Sequence, residues 1–228
     1  MNTSKLLSAV LLTASMSVAT VTHAADFDGL DVSASAGAAN MYLWRGYDVG
    51  EGDPAVFGDI TVSYAGFYGS VWTSSGDSFA GQEYDLILGY GAEFGDFVFD
   101  IAAVSYVYPR HSDPAIPNQG TDIGDWVEAV LTVGYGPISF SWFDTIEAKE
   151  GSYASGEDYS YFTASANFNS FGILIGRHDM EEGDDPVHLD LSYAYNDRLS
   201  FTVSKFIADE DDIEHDANFV VSYSFPLE

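Results

Sequence analysis

Arg45 stands out among the residues able to do chemistry, because the chain has 7 basic residues against 36 acids and this one sits between Trp44 and Gly46 at the end of a strand-like stretch. A guanidinium there could fold into a barrel lumen against carboxylates, shaping a constriction and a local field as charged rings do in pores. It could equally anchor its own loop by pairing with Asp48 or Asp53. A second group comprises Asp59, Glu83, Asp85, Glu93, Asp100, Glu128 and Asp190, which fall on or near the polar faces of alternating segments. A charge facing lipid near the midplane costs about 2–4 kcal/mol for Arg or Lys, so in-strand acids are expected to turn inward. Arg45 and these acids are the candidate pore-lining residues. They would give either a cation-preferring lumen or a solvated interior with no role in selectivity.

Other chemistry is weaker. The acid-rich loops 179–185 and 209–216 invite a calcium reading, yet neither has the Asp-x-Asp-x-Asp-Gly spacing with Glu at position twelve that an EF-hand needs. Diffuse Mg²⁺ or Ca²⁺ binding that bridges lipopolysaccharide phosphates competes with a plain solvated loop. His111, His178, His188 and His215 occur in neither His-Glu-x-x-His nor Gly-x-Ser-x-Gly surroundings. A Ser with His178 or His188 on a lipid-facing surface would suit a lipid hydrolase; a pore-lining histidine is the plainer reading. Cysteine is absent, which excludes a disulfide framework, a thiolate metal site and a cysteine nucleophile. The expectation is no enzyme, no metal centre and no cofactor.

The elements that must position these residues are strands. Period-2 alternation recurs over about 9–12 residues with no sustained helical period. In 83–94, Tyr84, Leu86, Leu88, Tyr90, Ala92 and Phe94 oppose Glu83, Asp85, Ile87, Gly89, Gly91 and Glu93. Twelve such segments are read: 32–44, 55–65, 67–75, 83–94, 97–108, 125–135, 138–147, 158–168, 171–179, 187–195, 198–207 and 216–225. Short turns at Ala65-Gly66, Gly95-Asp96, Gly136-Pro137, Asn169-Ser170 and Asn196-Asp197 alternate with longer acidic links at 45–54, 76–82, 109–124, 148–157, 180–186 and 208–215. Short turns on one rim and long loops on the other predict a closed, antiparallel, up-and-down transmembrane β-barrel of about 12 strands, with ten or fourteen as alternatives. At a ~4.8 Å strand spacing and ~40° tilt its backbone diameter would be about 24 Å.

Aromatics bracket the short turns: Tyr64, Phe67, Phe94, Phe97, Tyr135, Phe168, Phe171 and Tyr195. They suit an interfacial girdle, and Tyr42, Trp44, Trp72, Tyr84, Tyr108, Trp126 and Trp142 suggest a second one at the loop rim. Residues 1–24, with Lys5, an apolar run and Ala24, read as a signal peptide, leaving 25–228 as one barrel domain of the outer membrane. Without Lys5 the balance is 6 basic against 36 acidic residues. That excludes nucleic acid as a natural partner, since phosphates need Lys and Arg. Outer-membrane lipids, lipopolysaccharide and small hydrophilic solutes are the expected partners. No self-complementary face indicates an oligomeric state.

A set of motifs runs through residues 40–109: Asn40-Met-Tyr42-Leu-Trp44-Arg45-Gly46, Asp53-Pro54-Ala55, Gly66-Phe67-Tyr68 with Val71-Trp72, Glu83-Tyr-Asp85-Leu, Gly89-Tyr90 and Tyr106-Val-Tyr108-Pro109. In these the chain resembles the proteobacterial TorF-like family, also labelled Gcw_chp, whose members are regarded as porins. The resemblance implies an outer-membrane barrel of porin type and brings no established functional residue. The expected function is passive diffusion of small hydrophilic solutes, cations or neutral molecules, with a cation preference if the inward acids act on selectivity. The alternative is a non-conducting surface or structural barrel that binds a partner or lipopolysaccharide through acidic loops, its lumen plugged by aromatic residues.

Overall fold

A computed structural model describes residues 25–27, 29–78, 80–109, 120–149, 158–181, 183–208 and 216–227. Residues 1–24, read above as a signal peptide, most of the 109–124 loop with His111, most of the 148–157 and 208–215 loops, and His215 lie outside these residues. Twelve strands form the barrel: β1 (Leu30–Ala39), β2 (Ala55–Tyr64), β3 (Phe67–Asp77), β4 (Gly81–Phe94), β5 (Phe97–Val107), β6 (Trp126–Tyr135), β7 (Ile138–Ala148), β8 (Ser160–Phe168), β9 (Phe171–Asp179), β10 (Val187–Ala194), β11 (Leu199–Ala208) and β12 (Asn218–Pro226). Each pairs antiparallel with its neighbours in sequence. Closure comes at β1, which meets β2 from Ala39↔Ala55 to Asp31↔Ser63 and β12 from Ala39↔Ser222 to Ser35↔Pro226. A short additional strand, Ala25–Phe27, folds back onto Leu30–Val32.

The alternation in the sequence sets the two faces. Outward positions carry large apolar groups: Leu88 is 71 % and Phe94 81 % exposed, with Ile60, Leu131, Phe140 and Ile175 also exposed around the wall. So extensive an apolar exterior on a closed sheet is what a hydrocarbon solvent accommodates. All eight aromatics predicted beside the short turns are exposed at that rim. The Ala65-Gly66 turn has φ of 50° and 90°, both in the left-handed region, the type I′ geometry whose twist matches its flanking strands.

Three expectations change. The first segment ends at Ala39 instead of running to residue 44. The link read at 76–82 contracts to 78–80, because β3 and β4 continue pairing through Asp77↔Gly81. The second girdle is mostly absent, since Tyr42, Trp72, Tyr108 and Trp126 are buried; of that set only Trp142, 43 % exposed, appears among the large exposed groups. These rings fill the interior and do not ring the outside.

Candidate functional site

The interior changes character along the barrel axis. Near the short turns it is lined mainly by small polar side chains, joined across strands by Thr61–Ser70 (2.7 Å), Thr132–Ser141 (2.8 Å) and Ser139–Ser165 (2.7 Å) contacts. Towards the loops it is filled by Tyr, Trp, His and one Arg. The cause is the segment after β1. Asn40 Nδ2 donates to the Phe219 carbonyl (3.0 Å) and its Oδ1 accepts from the Val221 N–H (2.6 Å). This side-chain amide takes the place of a backbone partner in the ladder, so the chain can leave the sheet there. Leu43–Trp44 and Tyr47–Asp48 then form a two-stranded ribbon inside the barrel. Its turn residues Arg45 and Gly46 have φ of 46° and 91°, the same geometry as Ala65-Gly66.

The ribbon reaches the wall in several directions. The Tyr42 hydroxyl donates to Glu83 Oε2 on β4 (2.5 Å), and its ring lies 6.0 Å from that of Trp72 on β3. Asn218 Nδ2 at the start of β12 donates to the Gly46 carbonyl (3.3 Å). Tyr47 packs on His178 of β9 and Phe206 of β11, with ring centroids 5.2 and 4.8 Å away. Contacts with strands all round the ring place the ribbon across the lumen.

Arg45 is its centre. It is 5 % exposed, and its guanidinium meets Glu128 of β6 through both nitrogens, Nη1 to Oε1 at 3.0 Å and Nη2 to Oε2 at 2.5 Å. Such a forked, charge-assisted pair fixes orientation as well as charge. The Tyr106 hydroxyl also donates to Glu128 Oε2 (2.7 Å). The guanidinium carbon lies 4.6 Å from the ring centroids of Trp44 and Phe143 and 4.7 Å from that of Tyr161, a cation–π box for a desolvated charge. Arg45 Nη1 also donates to the Tyr159 hydroxyl (3.1 Å), which contacts His178 Nδ1 (2.8 Å), while His178 Nε2 contacts the Arg45 carbonyl (2.9 Å). A carbonyl only accepts, so Nε2 carries a proton and donates; a neutral ring then accepts the Tyr159 proton at Nδ1. The circuit leaves Arg45 by its side chain and returns to its backbone.

Beside it, the Tyr161 hydroxyl meets His188 Nε2 (2.7 Å) and His188 Nδ1 meets Asp190 Oδ1 (2.9 Å). This row lies over the backbone of Gly176. A Cβ there would stand 2.2 Å from His188 Nε2 and 2.3 Å from the Tyr161 hydroxyl. Gly176→Ala is therefore expected to destabilise the folded barrel by about 1–3 kcal/mol through overpacking, read from its urea midpoint. An unchanged midpoint would mean that the row can shift at no cost.

The remaining acids are spread along the wall. Glu83 and Asp85 are buried on β4 next to the ribbon. Asp100 is buried and accepts from the Tyr68 hydroxyl (3.0 Å), and half-buried Asp59 accepts from Ser35. Glu93 is exposed at the turn-side mouth. Of the sequence-selected residues, Arg45 and Glu128 are brought into contact, with Glu83 and Asp85 close by; Asp59, Glu93 and Asp100 lie apart. The expected loop-anchor pairing of Arg45 with Asp48 or Asp53 is not made, and Asp48 instead accepts from the Gly50 N–H (3.1 Å). His178 and His188 point inward and bond to Tyr, Asp and a carbonyl, so neither takes part in a Ser–His pair on the lipid face. Tyr159 and Tyr161 were not singled out in the sequence, and Tyr106 entered only through the family resemblance, although it shares the alternating face of Asp100.

Among the described residues, Lys149, Arg177, Arg198 and Lys205 are exposed, so Arg45 is the base inside the barrel. At the loop rim, Lys149 pairs with Asp125 (2.9 Å) and Arg177 with Asp185 (2.7 Å). The Met180 N–H and then Arg177 hold the Asp185 carboxyl below the usual carboxylate range. Its neighbours Asp179, Glu181 and Asp184 are exposed, and no cluster of three metal-ligating side chains forms among the described residues.

The residues that meet in the lumen include the sequence motifs noted above: Asn40 to Gly46, Trp72, Glu83, Asp85, Tyr106 and Tyr108. A family model, described as "Bacterial protein of unknown function (Gcw_chp)", matches residues 23–213. The chain belongs to the Gcw_chp family. No curated protein matches this Gcw_chp chain. Among solved structures it is similar to outer membrane phospholipase A from Escherichia coli, at 12 % identity over 91 % of this chain and 94 % of that one, with a TM-score of 0.49. A mutant of the Rh. blastica porin is 13 % identical over 88 % and 75 % of the two chains, TM-score 0.42. The outer membrane protein OprD from Pseudomonas aeruginosa is 12 % identical over 90 % and 67 %, TM-score 0.36.

Proposed function

We propose that this Gcw_chp chain is a small porin-type barrel of the bacterial outer membrane, through which small hydrophilic solutes, cations in preference, diffuse when the ribbon allows it. The observation that carries the reading is the inner wall: polar and acid-bearing from the turn-side mouth at Glu93 up to Glu83 and Glu128, with one inward Lys or Arg among the described residues, already neutralised. A barrel that never held water would have little use for the small Ser and Thr groups on the turn side. An acid-lined path with no free cation attracts cations by its field. Arg45, Asp59, Glu83, Asp85, Glu93, Asp100, Glu128 and Asp190 are its proposed lining, with Arg45 and Glu128 at the constriction. Lipids and lipopolysaccharide are the proposed surroundings of the apolar belt.

A second reading is favoured by a specific observation. The ribbon contacts the wall on several sides, as expected for a non-conducting surface barrel that works through its acidic loops. Single-channel conductance of the refolded chain in planar bilayers under a salt gradient separates the two. Discrete, cation-selective steps are expected. Silence from folded, inserted protein at all voltages would replace the channel by the surface barrel.

A further inference from the structure

Glu83 and Asp85 face the same side of β4, two residues apart, and are 2 % and 5 % exposed. Each group around them is identifiable. From the ribbon come Tyr42 and Arg45, from the end of β3 Asp77, from β5 and the residue after it Tyr106 and Tyr108, and from β6 Glu128. Among the described residues Arg45 is the one cation here, and Glu128 occupies both of its outer nitrogens. The Glu83–Asp85 pair therefore has two acidic groups and no cation of its own.

Glu83 is well provided with donors: the Tyr42 hydroxyl to Oε2 at 2.5 Å and the Tyr108 hydroxyl to Oε1 at 2.7 Å. Both bonds favour its anion. Asp85 differs. Its Oδ1 is buried without a hydrogen-bond partner, and its side chain is within hydrogen-bonding reach of Glu83. Two carboxylates cannot hydrogen-bond to each other, because neither has a proton to donate. A contact between them in a dry setting requires one to be an acid, as in the paired carboxyls of acid–base dyads.

We propose that Glu83 and Asp85 form a proton-binding site in the lumen, with Asp85 carrying the proton at neutral pH and donating it to Glu83. Glu83 is then an anion with three O–H donors, and the bare Asp85 Oδ1 is the carbonyl oxygen of a neutral acid, which tolerates burial better than a charged oxygen. The consequence for conduction rests on the channel reading: loss of this proton at alkaline pH adds a second fixed charge beside Tyr42, so cation selectivity rises with pH.

The test does not need conduction. In the infrared spectrum of the refolded barrel at neutral pH, a protonated-carboxyl C=O stretch that shifts in D₂O is expected, and Asp85→Asn should remove it while Asp190→Asn leaves it. Because an Asn amide can still donate to Glu83, Asp85→Asn should unfold at the same urea concentration as the parent. Isotopic labelling of aspartate carboxyl carbons in the unmutated chain reads the same band if the variant does not fold. A band that moves on aspartate labelling supports the site. No such band, or one that moves only when glutamate is labelled, overturns it. Flat selectivity against pH with the band in place would count against the channel reading and leave the proton site standing.

Discussion

Arg45→Ala is expected to lower the unfolding free energy of the barrel by about 3–5 kcal/mol, because it leaves Glu128, 0 % exposed, as a buried charge without a cation. Backbone strain does not confound the comparison: Ala at the φ of 46° found here is no more strained than Arg, so the difference reports the side chain. The reverse deletion should be milder. In Glu128→Ala the guanidinium keeps the Tyr159 and Tyr106 hydroxyls and the rings of Trp44, Phe143 and Tyr161. The double variant should be more stable than Arg45→Ala alone, since no uncompensated carboxylate remains. Urea unfolding of the four proteins in the same lipid gives the cycle. Additive single effects would show that the 2.5 Å contact carries no coupling and that the ribbon is held by packing alone.

Such a lock was only partly legible in the sequence. The barrel itself was, because alternation and turn chemistry are local: Ala65-Gly66 needs two left-handed residues, and Phe94 and Phe97 flank a turn whichever strands lie beside it. The ribbon was hidden by the same rule that exposed the barrel. Tyr42 and Trp44 continue the alternation begun in β1, and so read as the end of a strand and part of an outer girdle. What ends the strand is Asn40, whose amide bonds to Phe219 and Val221, nearly the whole chain away. No local pattern reports that contact. One signal was present: Arg45-Gly46 is a residue-glycine pair of the kind seen at Ala65-Gly66, and could have been read as a hairpin turn in its own right. The partner of Arg45 was equally out of reach, because Asp48 and Asp53 are near in sequence whereas Glu128 is near only once β6 is in the barrel wall.

Removing the ribbon should have the second large effect. Replacing residues 41–52 with a short Gly/Ser linker takes away Tyr42, Leu43, Arg45 and Tyr47 while leaving Ala39 and Ala55 to pair β1 with β2 and Asn40 bonded to β12. The wall that remains carries Glu83, Asp85, Glu128 and Asp190 with no inward Lys or Arg among the described residues. The freed acids repel one another, so the variant should be less stable than the parent, and more so at low salt, where screening is weakest. The same acids should make its lumen strongly cation-selective.

Single-channel recording of this ribbon-replaced barrel beside the parent, both shown to be folded and inserted, tests most directly the claim that the first loop obstructs an otherwise continuous polar lumen. Long-lived, cation-selective openings of larger conductance than any event in the parent are predicted. A variant that is silent, or indistinguishable from the parent, would mean that the wall itself closes the barrel and that the ribbon is not its plug.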